Sequence, residues 1–191
     1  MTAALRPRYA FGEYLEIEDM SRDVRHEYVT GEIYAMAGGS VEHAGLASAL
    51  TALLFEHLRG GPCRPYGSDL RLRIRAAEVA TYADVVVLCE PIERDPDSPT
   101  HVTNPRVVVE VLSPTTERYD REQKRLYYQQ LSSLSEYVLV AQDRRRVEVW
   151  RRDGNAWAHS AYGQGEQAPL PSIDLTIDVD ALYADAGVDV A

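Results

Sequence analysis

Two acidic residues stand inside stretches of sequence that are otherwise apolar. Asp84 lies within residues 81–89, and Glu110 lies within residues 107–112. Nearly continuous apolar runs of this length are typical of strands that are buried on both faces. An ionised carboxylate in such a strand is unstable unless a cation or several hydrogen-bond donors compensate for its lost hydration. Two of them on neighbouring strands therefore indicate a cation between them, and Mg²⁺ is a candidate because it binds carboxylate and carbonyl oxygens.

A lysine follows the second acid at a distance that a short loop and a helix would bridge. Residues 113–116, Ser-Pro-Thr-Thr, have the composition of a turn, and residues 120–123 resemble a capping box. This pattern predicts a helix over residues 120–131 whose first turns carry Lys124. The helix would bring Lys124 close to the end of the strand that bears Glu110. There it could orient or help deprotonate an attacking water while a metal neutralises charge on a phosphodiester.

The same residues allow a purely structural interpretation. Lys124 is four residues after Asp120, so the two could form an ion pair on a solvated helix face. Structural ion pairs also occur in clefts. The residue types by themselves leave both interpretations open.

The periodicity of the first third of the chain predicts the elements that would support this site. Apolar spacing favours a short helix over residues 11–20, and two strands are expected on either side of the turn Thr30-Gly31. Leucines spaced three and four residues apart follow Ser40, which is a candidate N-cap. They predict a long helix that ends at residues 60–62, Gly-Gly-Pro.

Strands dominate the rest of the predicted fold. Residues 69–75 alternate strictly between aliphatic side chains and arginines, and residues 91–105 read as an exposed loop. Further strands are expected at residues 136–141 and 146–151 around a hairpin turn, followed by irregular strand pieces and a short helix near residues 180–183. The resulting fold class is α/β, with one domain over residues 1–191 and a mixed central sheet flanked by helices.

Composition limits the classes of function that are open to the chain. A length of 191 residues suits one domain, and no apolar stretch is long enough to span a membrane. The net charge of −10 argues against passive binding of nucleic acid by a basic surface. The sequence has neither zinc-ligand spacings nor a glycine-rich nucleotide loop.

The two cysteines are too few for a disulfide framework. Cys63 and Cys89 have no Cys-x-x-Cys spacing, and Cys89 ends an apolar run. We therefore expect Cys89 to be a buried free thiol. This fits a reducing cytoplasm, and residues 1–8 lack a secretory apolar region.

Several short segments occur along the chain in a characteristic order. They are Thr-Gly-Glu-Ile at 30–33, Ser-x-x-His at 40–43, Tyr-Ala-Asp-Val-Val-Val at 82–87, Pro-x-Val-Val-Val-Glu-Val-Leu-Ser-Pro-Thr-Thr at 105–116, Asp-x-x-x-Lys-x-x-x-Tyr at 120–128 and Glu-Tyr-Val-Leu-Val at 136–140. Together they resemble the Uma2 family of endonuclease domains, a branch of the restriction-endonuclease-like PD-(D/E)XK nucleases. The resemblance spans about residues 11–152.

This resemblance implies a role for each acidic residue. Asp84 and Glu110, with the backbone carbonyl of Val111, would bind Mg²⁺ or Mn²⁺. Glu32 would bind a second ion or a water attached to the metal. Lys124 would position the nucleophile, on a helix instead of the strand position that Leu112 occupies.

The chain departs from the family pattern at Ala83, where proline usually precedes the aspartate. Alanine permits the same extended backbone, so we expect the site to be retained.

Other polar residues have both structural and functional interpretations. His43 and Tyr128 match the family at the edge of the site, although a core or capping histidine and a structural tyrosine are alternatives. The arginines at 71, 73 and 75 could follow a phosphate backbone. We interpret them, and the arginines at 144–146, as solvated surface.

The leading hypothesis is a metal-dependent endonuclease that hydrolyses DNA, acting as a homodimer by analogy with the superfamily. The alternative is a catalytically inactive nuclease fold that serves as a binding or scaffold module, which the acidic net charge favours. A glycosidase with two carboxylates fits less well because it leaves Lys124 without a role.

Overall fold

The computed structural model describes residues 7–190, which form two six-stranded sheets, a two-stranded ribbon and several helices. The helices are α1 (Phe11–Met20), α2 (Val41–His57), α3 (Glu117–Tyr119), α4 (Arg125–Tyr128) and α5 (Val179–Asp185). The strands are β1 (His26–Val29), β2 (Glu32–Ala35), β3 (Cys63–Gly67), β4 (Arg71–Ile74), β5 (Val79–Tyr82), β6 (Val85–Cys89), β7 (Arg94–Asp95), β8 (Ser98–Val102), β9 (Pro105–Leu112), β10 (Glu136–Ala141), β11 (Val147–Asp153), β12 (Ala156–Tyr162), β13 (Gln167–Leu170) and β14 (Leu175–Asp178).

The two large sheets contain both parallel and antiparallel pairs. The first has the order β2-β1-β5-β4-β8-β7, and the second has the order β12-β11-β10-β9-β6-β3. Strands β9 and β10 are parallel neighbours, and so are β4 and β8. The predicted α/β class with mixed strands flanked by helices is confirmed, with the strands divided between two sheets instead of one central sheet.

The second sheet is covered on both faces, which explains why its central strands are continuously apolar. On one face, leucines of α2 pack against Val85, Val109 and other alternate residues of β6 and β9. On the other face, Val86 and Val108 pack against Tyr128. Because successive side chains of a strand point to opposite faces, each strand supplies both layers of the core.

The predicted strand over residues 81–89 is in fact two strands in different sheets. Strand β5 belongs to the first sheet and β6 to the second, and Ala83 and Asp84 connect them. Apolar periodicity did not reveal this break because both strands are fully buried. Asp84 thus lies at the junction of the sheets and keeps 16% of its side chain exposed.

The predicted elements of the N-terminal third are confirmed. Helix α1 has the expected bounds, and β1 and β2 pair across the turn. Thr30 and Gly31 have φ values of 49° and 92°, as a tight hairpin turn requires. Ser40 caps α2 by accepting a hydrogen bond from the backbone N–H of His43 at 3.2 Å.

The prediction of an exposed loop over residues 91–105 is wrong. Residues 91–105 contain the hairpin of β7 and β8 rather than only an exposed loop, and β8 pairs with β4. His101 on β8 is fully buried, and burial lowers its pKa to about 4. The many polar residues of this segment hid the strands, because their side chains bond to each other within the hairpin, as Ser98 does to His101 at 2.8 Å.

The helix that carries Lys124 begins earlier than predicted. Residues 117–128 form one continuous helical stretch in which α3 and α4 flank a π-helical segment, Asp120–Lys124. Asp120 is therefore inside the helix and buried, and it is not the N-terminal residue of a capping box. Single-turn π segments of this kind are frequent at functional sites.

The arginine stripe of β4 is not the solvated face that we expected. Helix α1 covers it: the Arg73 guanidinium lies 4.0 Å from the centre of the Phe11 ring and donates to the carbonyl of Val79, and Arg73 is only 4% exposed. Arg71 bonds to Asp19 and Tyr82. Arg71 and Arg73 thus bond within the protein and do not follow a phosphate backbone. Arg75 keeps 51% of its side chain exposed, as expected for a solvated position, and pairs with Asp95 and Asp97.

The arginines at the β10–β11 hairpin are only partly solvated. Arg145 donates to Asp180 at 2.8 Å and to the carbonyl of Val190. The guanidinium of Arg144 is 44% exposed and pairs with Asp143.

The cysteines form a disulfide, so the predicted free thiol at Cys89 is wrong. Cys63 and Cys89 are opposite each other on the antiparallel strands β3 and β6, with Cα atoms 3.9 Å apart. Sequence spacing could not show this pairing because it depends on the register of two strands separated by a hairpin and a 3₁₀ turn.

Within residues 7–190, no helix is both long and apolar enough to cross a membrane. Residues 1–6, which make up most of the N-terminal segment considered for secretion, lie outside the described residues.

Candidate active site

The ammonium group of Lys124 lies in a buried cluster of carboxylates at the junction of the two sheets. Its Nζ atom is 3.0 Å from Glu110, 3.1 Å from Glu27 and 3.9 Å from Asp120. It also donates to the backbone carbonyl of Tyr82 at 3.0 Å. Lys124 is 6% exposed. The fold has thus placed one cation among acids from three different elements.

Each partner of Lys124 is held by further hydrogen bonds. The Tyr128 hydroxyl donates to the same Glu110 oxygen at 2.8 Å, and the Thr81 hydroxyl donates to Glu27. The Tyr137 hydroxyl donates to the backbone carbonyl of Asp120 at 3.1 Å. These contacts fix the acids and the helix relative to one another, so the geometry around Lys124 is preorganised.

Asp84 and His43 lie beside this cluster. Asp84 Oδ2 accepts a hydrogen bond from the backbone N–H of Val111 at 2.7 Å, which anchors the sheet junction to β9 next to Glu110. The Nε2 atom of His43 is 3.2 Å from the same oxygen. The hydrogen bond that His43 donates to Asp84 raises the pKa of His43, and a contact with the Val111 backbone adds to this.

Glu32 lies elsewhere on the first sheet. It is on β2, and the hydroxyl of Tyr34 on the same strand donates to its carboxylate. Among residues 7–190, Glu27, Glu110 and Asp120 are the carboxylates within 4.0 Å of Lys124, so the acid that the hairpin supplies to this lysine is Glu27.

Glu27 was not singled out from the sequence. One signal existed for Glu27: it is an acid in a four-residue strand whose last three residues are buried. Asp120 was expected either to cap the helix or to pair with Lys124 on a solvated face. The pair exists at 3.9 Å, but it is buried inside the helical stretch.

The electrostatics of the cluster show an excess of negative charge. Burial is the main cause of the raised pKa of Glu110, and the charges of Asp84 and Asp120 raise it further. Burial also raises the pKa of Asp120. For Lys124 burial acts against the charged form, but the charges of Glu110 and Glu27 outweigh it and raise the pKa. One lysine therefore does not balance the acids around it.

This excess charge is the observation that fits a divalent cation. The donors available to it are carboxylates and a backbone carbonyl, which hard cations prefer. However, no three His, Cys, Asp or Glu side chains within residues 7–190 converge in a metal-binding arrangement. A metal site here would need the Val111 carbonyl as one of its donors.

Comparison with known proteins decides the family. The profile of the Uma2 family, described as "Putative restriction endonuclease", matches residues 11–180. The chain belongs to the Uma2 family. Two uncharacterized Synechocystis proteins are related: slr1290 is 38% identical over 93% of this chain and 92% of its own length, and sll1609 is 34% identical over 75% and 80%.

The Uma2 fold is also seen in a solved structure. A crystal structure from Anabaena variabilis, described as a putative nuclease belonging to DUF820, superposes with a TM-score of 0.77. It covers 92% of this chain and 97% of its own, at 17% identity, so the likeness shows the fold. The family description and the shared fold support the restriction-endonuclease-like nuclease that the sequence segments had implied.

An ion cluster around Glu148 fixes the 117–128 helix to the second sheet. Arg121 and Arg146 each donate to Glu148 at 2.8 Å, and His159 is 3.0 Å away. Burial acts to raise the pKa of this carboxyl, but the hydrogen bonds from the arginines dominate and lower it to about 2. Because Arg121 is one turn before Lys124, this cluster helps to set the position of the lysine.

We expect Glu148→Gln to destabilise the protein at neutral pH and not in acid. The folded-state pKa lies below the unfolded value, so the stabilisation is present above about pH 4.5 and is lost as the pH falls towards 2. The difference in unfolding free energy should be about 2–3 kcal/mol at pH 7, allowing for the partly exposed partners. Urea unfolding at pH 7 and pH 3 measures it, and an equal difference at both values would contradict the assignment.

Proposed function

We propose that this protein is a metal-dependent endonuclease that hydrolyses phosphodiester bonds in DNA. The observation that carries the proposal is the position of the Lys124 ammonium, 3.0 Å from Glu110 on the strand that also binds Asp84, in a chain with a restriction-endonuclease-like fold. A buried lysine with adjacent carboxylates combines a proton-bearing group with cation-binding oxygens. Both are needed to attack a phosphodiester and to neutralise its developing charge.

In this proposal Asp84, Glu110 and the carbonyl of Val111 hold Mg²⁺ or Mn²⁺. When bound, the cation supplies Lewis-acid stabilisation of charge on the phosphate. Glu32 remains the proposed ligand for a second ion or for a water bound to that ion. Binding of substrate or metal would have to bring Glu32 closer to the first site.

The other residues orient the reacting groups. Glu27 and Glu110 hold Lys124 so that its ammonium stays charged and faces the cluster, where it positions the attacking water. Tyr128 keeps one Glu110 oxygen in place. Because these contacts are buried, bulk water is excluded from Lys124, so solvent screens the charge of its ammonium group only weakly.

DNA is the proposed substrate in spite of the acidic net charge. Between residues 118 and 152, the chain has nine arginine and lysine residues against five acidic ones, whereas the whole chain has a net charge of −10. This segment includes the helix that bears Lys124. We also propose a homodimer, by analogy with nucleases that cut both strands.

A second candidate is an inactive nuclease fold that acts as a binding or scaffold module. Glu110 favours it, because its Oε1 atom is already bonded to both Lys124 and Tyr128. In this case the cluster would be a buried structural ion network, and calorimetry would detect no binding of Mn²⁺.

The test is cleavage of supercoiled plasmid and single-stranded DNA with Mg²⁺ or Mn²⁺. Asp84→Ala is expected to reduce cleavage to background, and Asp69→Ala to leave it unchanged because 99% of that side chain is exposed. Equal cleavage by wild type and Asp84→Ala would overturn the proposal. A wild-type protein that neither cuts DNA nor binds Mn²⁺ would support the scaffold.

A further inference from the structure

His43 is placed at the candidate cation site by the first turn of α2. Ser40 caps this helix and accepts a hydrogen bond from the backbone N–H of His43 at 3.2 Å. This bond fixes the position from which the His43 side chain extends. The imidazole then reaches Asp84, with 3.2 Å between Nε2 and Oδ2, while 20% of the side chain stays exposed. The histidine is thus both anchored and accessible from solvent.

Gly39, directly before the N-cap residue Ser40, leaves room for this orientation of the His43 ring. A Cβ atom built at Gly39 would lie 2.8 Å from Nδ1 and 3.0 Å from Cγ of His43, closer than such atoms pack. The ring therefore lies directly against the bare backbone of Gly39. Only glycine at this position allows the ring to take this place with Nε2 directed at Asp84.

The separation of the two donor atoms fits binding to a shared ion. Donors bound at about 2.1 Å and at right angles to each other are about 3 Å apart. The observed 3.2 Å between His43 and Asp84 is close to this value. The backbone of Val111 lies beside this pair, because its N–H donates to the same Asp84 oxygen at 2.7 Å.

Glu110 is less accessible than Asp84 and His43. Its Oε1 atom is bonded to Lys124 and Tyr128, and the residue is 4% exposed. The more exposed side-chain donors are therefore the Asp84 carboxylate and the His43 nitrogen, with the backbone of Val111 beside them.

We propose that His43 is a nitrogen ligand of the divalent cation, together with Asp84 and the Val111 carbonyl, and that the site consequently prefers Mn²⁺ to Mg²⁺. Imidazole binds transition metals well, whereas Mg²⁺ prefers oxygen donors only. This inference rests on the proposed function in one respect, that a divalent cation binds at Asp84.

The test measures metal binding directly, with Mn²⁺ and Mg²⁺ alone as probes. Pulsed electron paramagnetic resonance of the Mn²⁺-bound protein should show hyperfine coupling to a histidine nitrogen that is absent in His43→Gln. Calorimetry should show that His43→Gln weakens Mn²⁺ binding by about 10- to 100-fold and changes Mg²⁺ binding much less. Gly39→Ala should weaken Mn²⁺ binding in the same direction.

His57→Gln is the matched control. His57 is on the same helix, at its other end, where Nε2 contacts the carbonyl of Ile173. The His57→Gln variant should keep both the hyperfine coupling to nitrogen and the affinity for Mn²⁺. Thermal unfolding of each variant establishes that the fold is retained.

The outcomes separate the two proposals. Mn²⁺ binding that depends on Asp84 but shows no nitrogen coupling, or equal affinity in His43→Gln, would overturn the role of His43 and leave the endonuclease proposal standing. His43 and Asp84 would then form a plain ion pair. Absence of Mn²⁺ binding by the wild type would overturn both.

Discussion

Lys124→Met is expected to lower the free energy of unfolding by about 3–5 kcal/mol, because it leaves buried carboxylates without their cation. Glu27 and Glu110 both lose their partner, and the Tyr82 carbonyl loses a donor. Methionine fills a similar volume, so the loss reflects charge and hydrogen bonding and not a cavity. Cleavage, if Lys124 positions the water, should fall to background in the same variant.

Urea unfolding gives the stability, and a double variant identifies its cause. Glu27→Gln in the Lys124→Met background removes one of the orphaned charges, so it should restore about 1–2 kcal/mol. Arg118→Met is the control on the same helix, since 89% of that side chain is exposed and its pairing with Glu122 is worth little. A Lys124→Met protein as stable as wild type would show that the lysine does not neutralise this cluster.

Glu110→Gln is expected to separate activity from stability. The amide oxygen still accepts hydrogen bonds from Tyr128 and Lys124, while the excess negative charge shared with Asp84 and Asp120 is reduced. The free energy of unfolding should therefore stay within about 1 kcal/mol of wild type, or rise. Cleavage should fall by about 10²–10³-fold, because charge stabilisation in a buried site is worth several kcal/mol.

Glu136→Gln is the matched control for this prediction. Glu136 is also a buried glutamate, on the adjacent strand β10, but it bonds to Ser172 and not to the Lys124 cluster. Its replacement should leave cleavage unchanged. If Glu110→Gln cuts DNA at the wild-type rate, the charge of Glu110 has no part in catalysis, and the cluster around Lys124 is structural.

The local elements of this fold could be predicted because they depend on neighbours in sequence. The leucine spacing of α2, the Ser40 cap and the Thr30-Gly31 turn are all read within a few residues, and the structure has each of them. The predictions failed where polar side chains form hydrogen bonds with near neighbours in the sequence. His101 and the β7–β8 hairpin looked like a loop because a polar strand has no apolar pattern.

The sequence by itself determined that Asp84 and Glu110 are acids in apolar surroundings and that Lys124 follows them on a helix. Those statements require only composition and periodicity. Only the tertiary structure decided that Asp84 lies where the chain crosses between two sheets, that Glu27 and Glu110 share Lys124, and that Arg73 is buried under α1. Each of these is a contact between residues on different elements, fixed by strand order and helix packing, and local patterns carry no information about it.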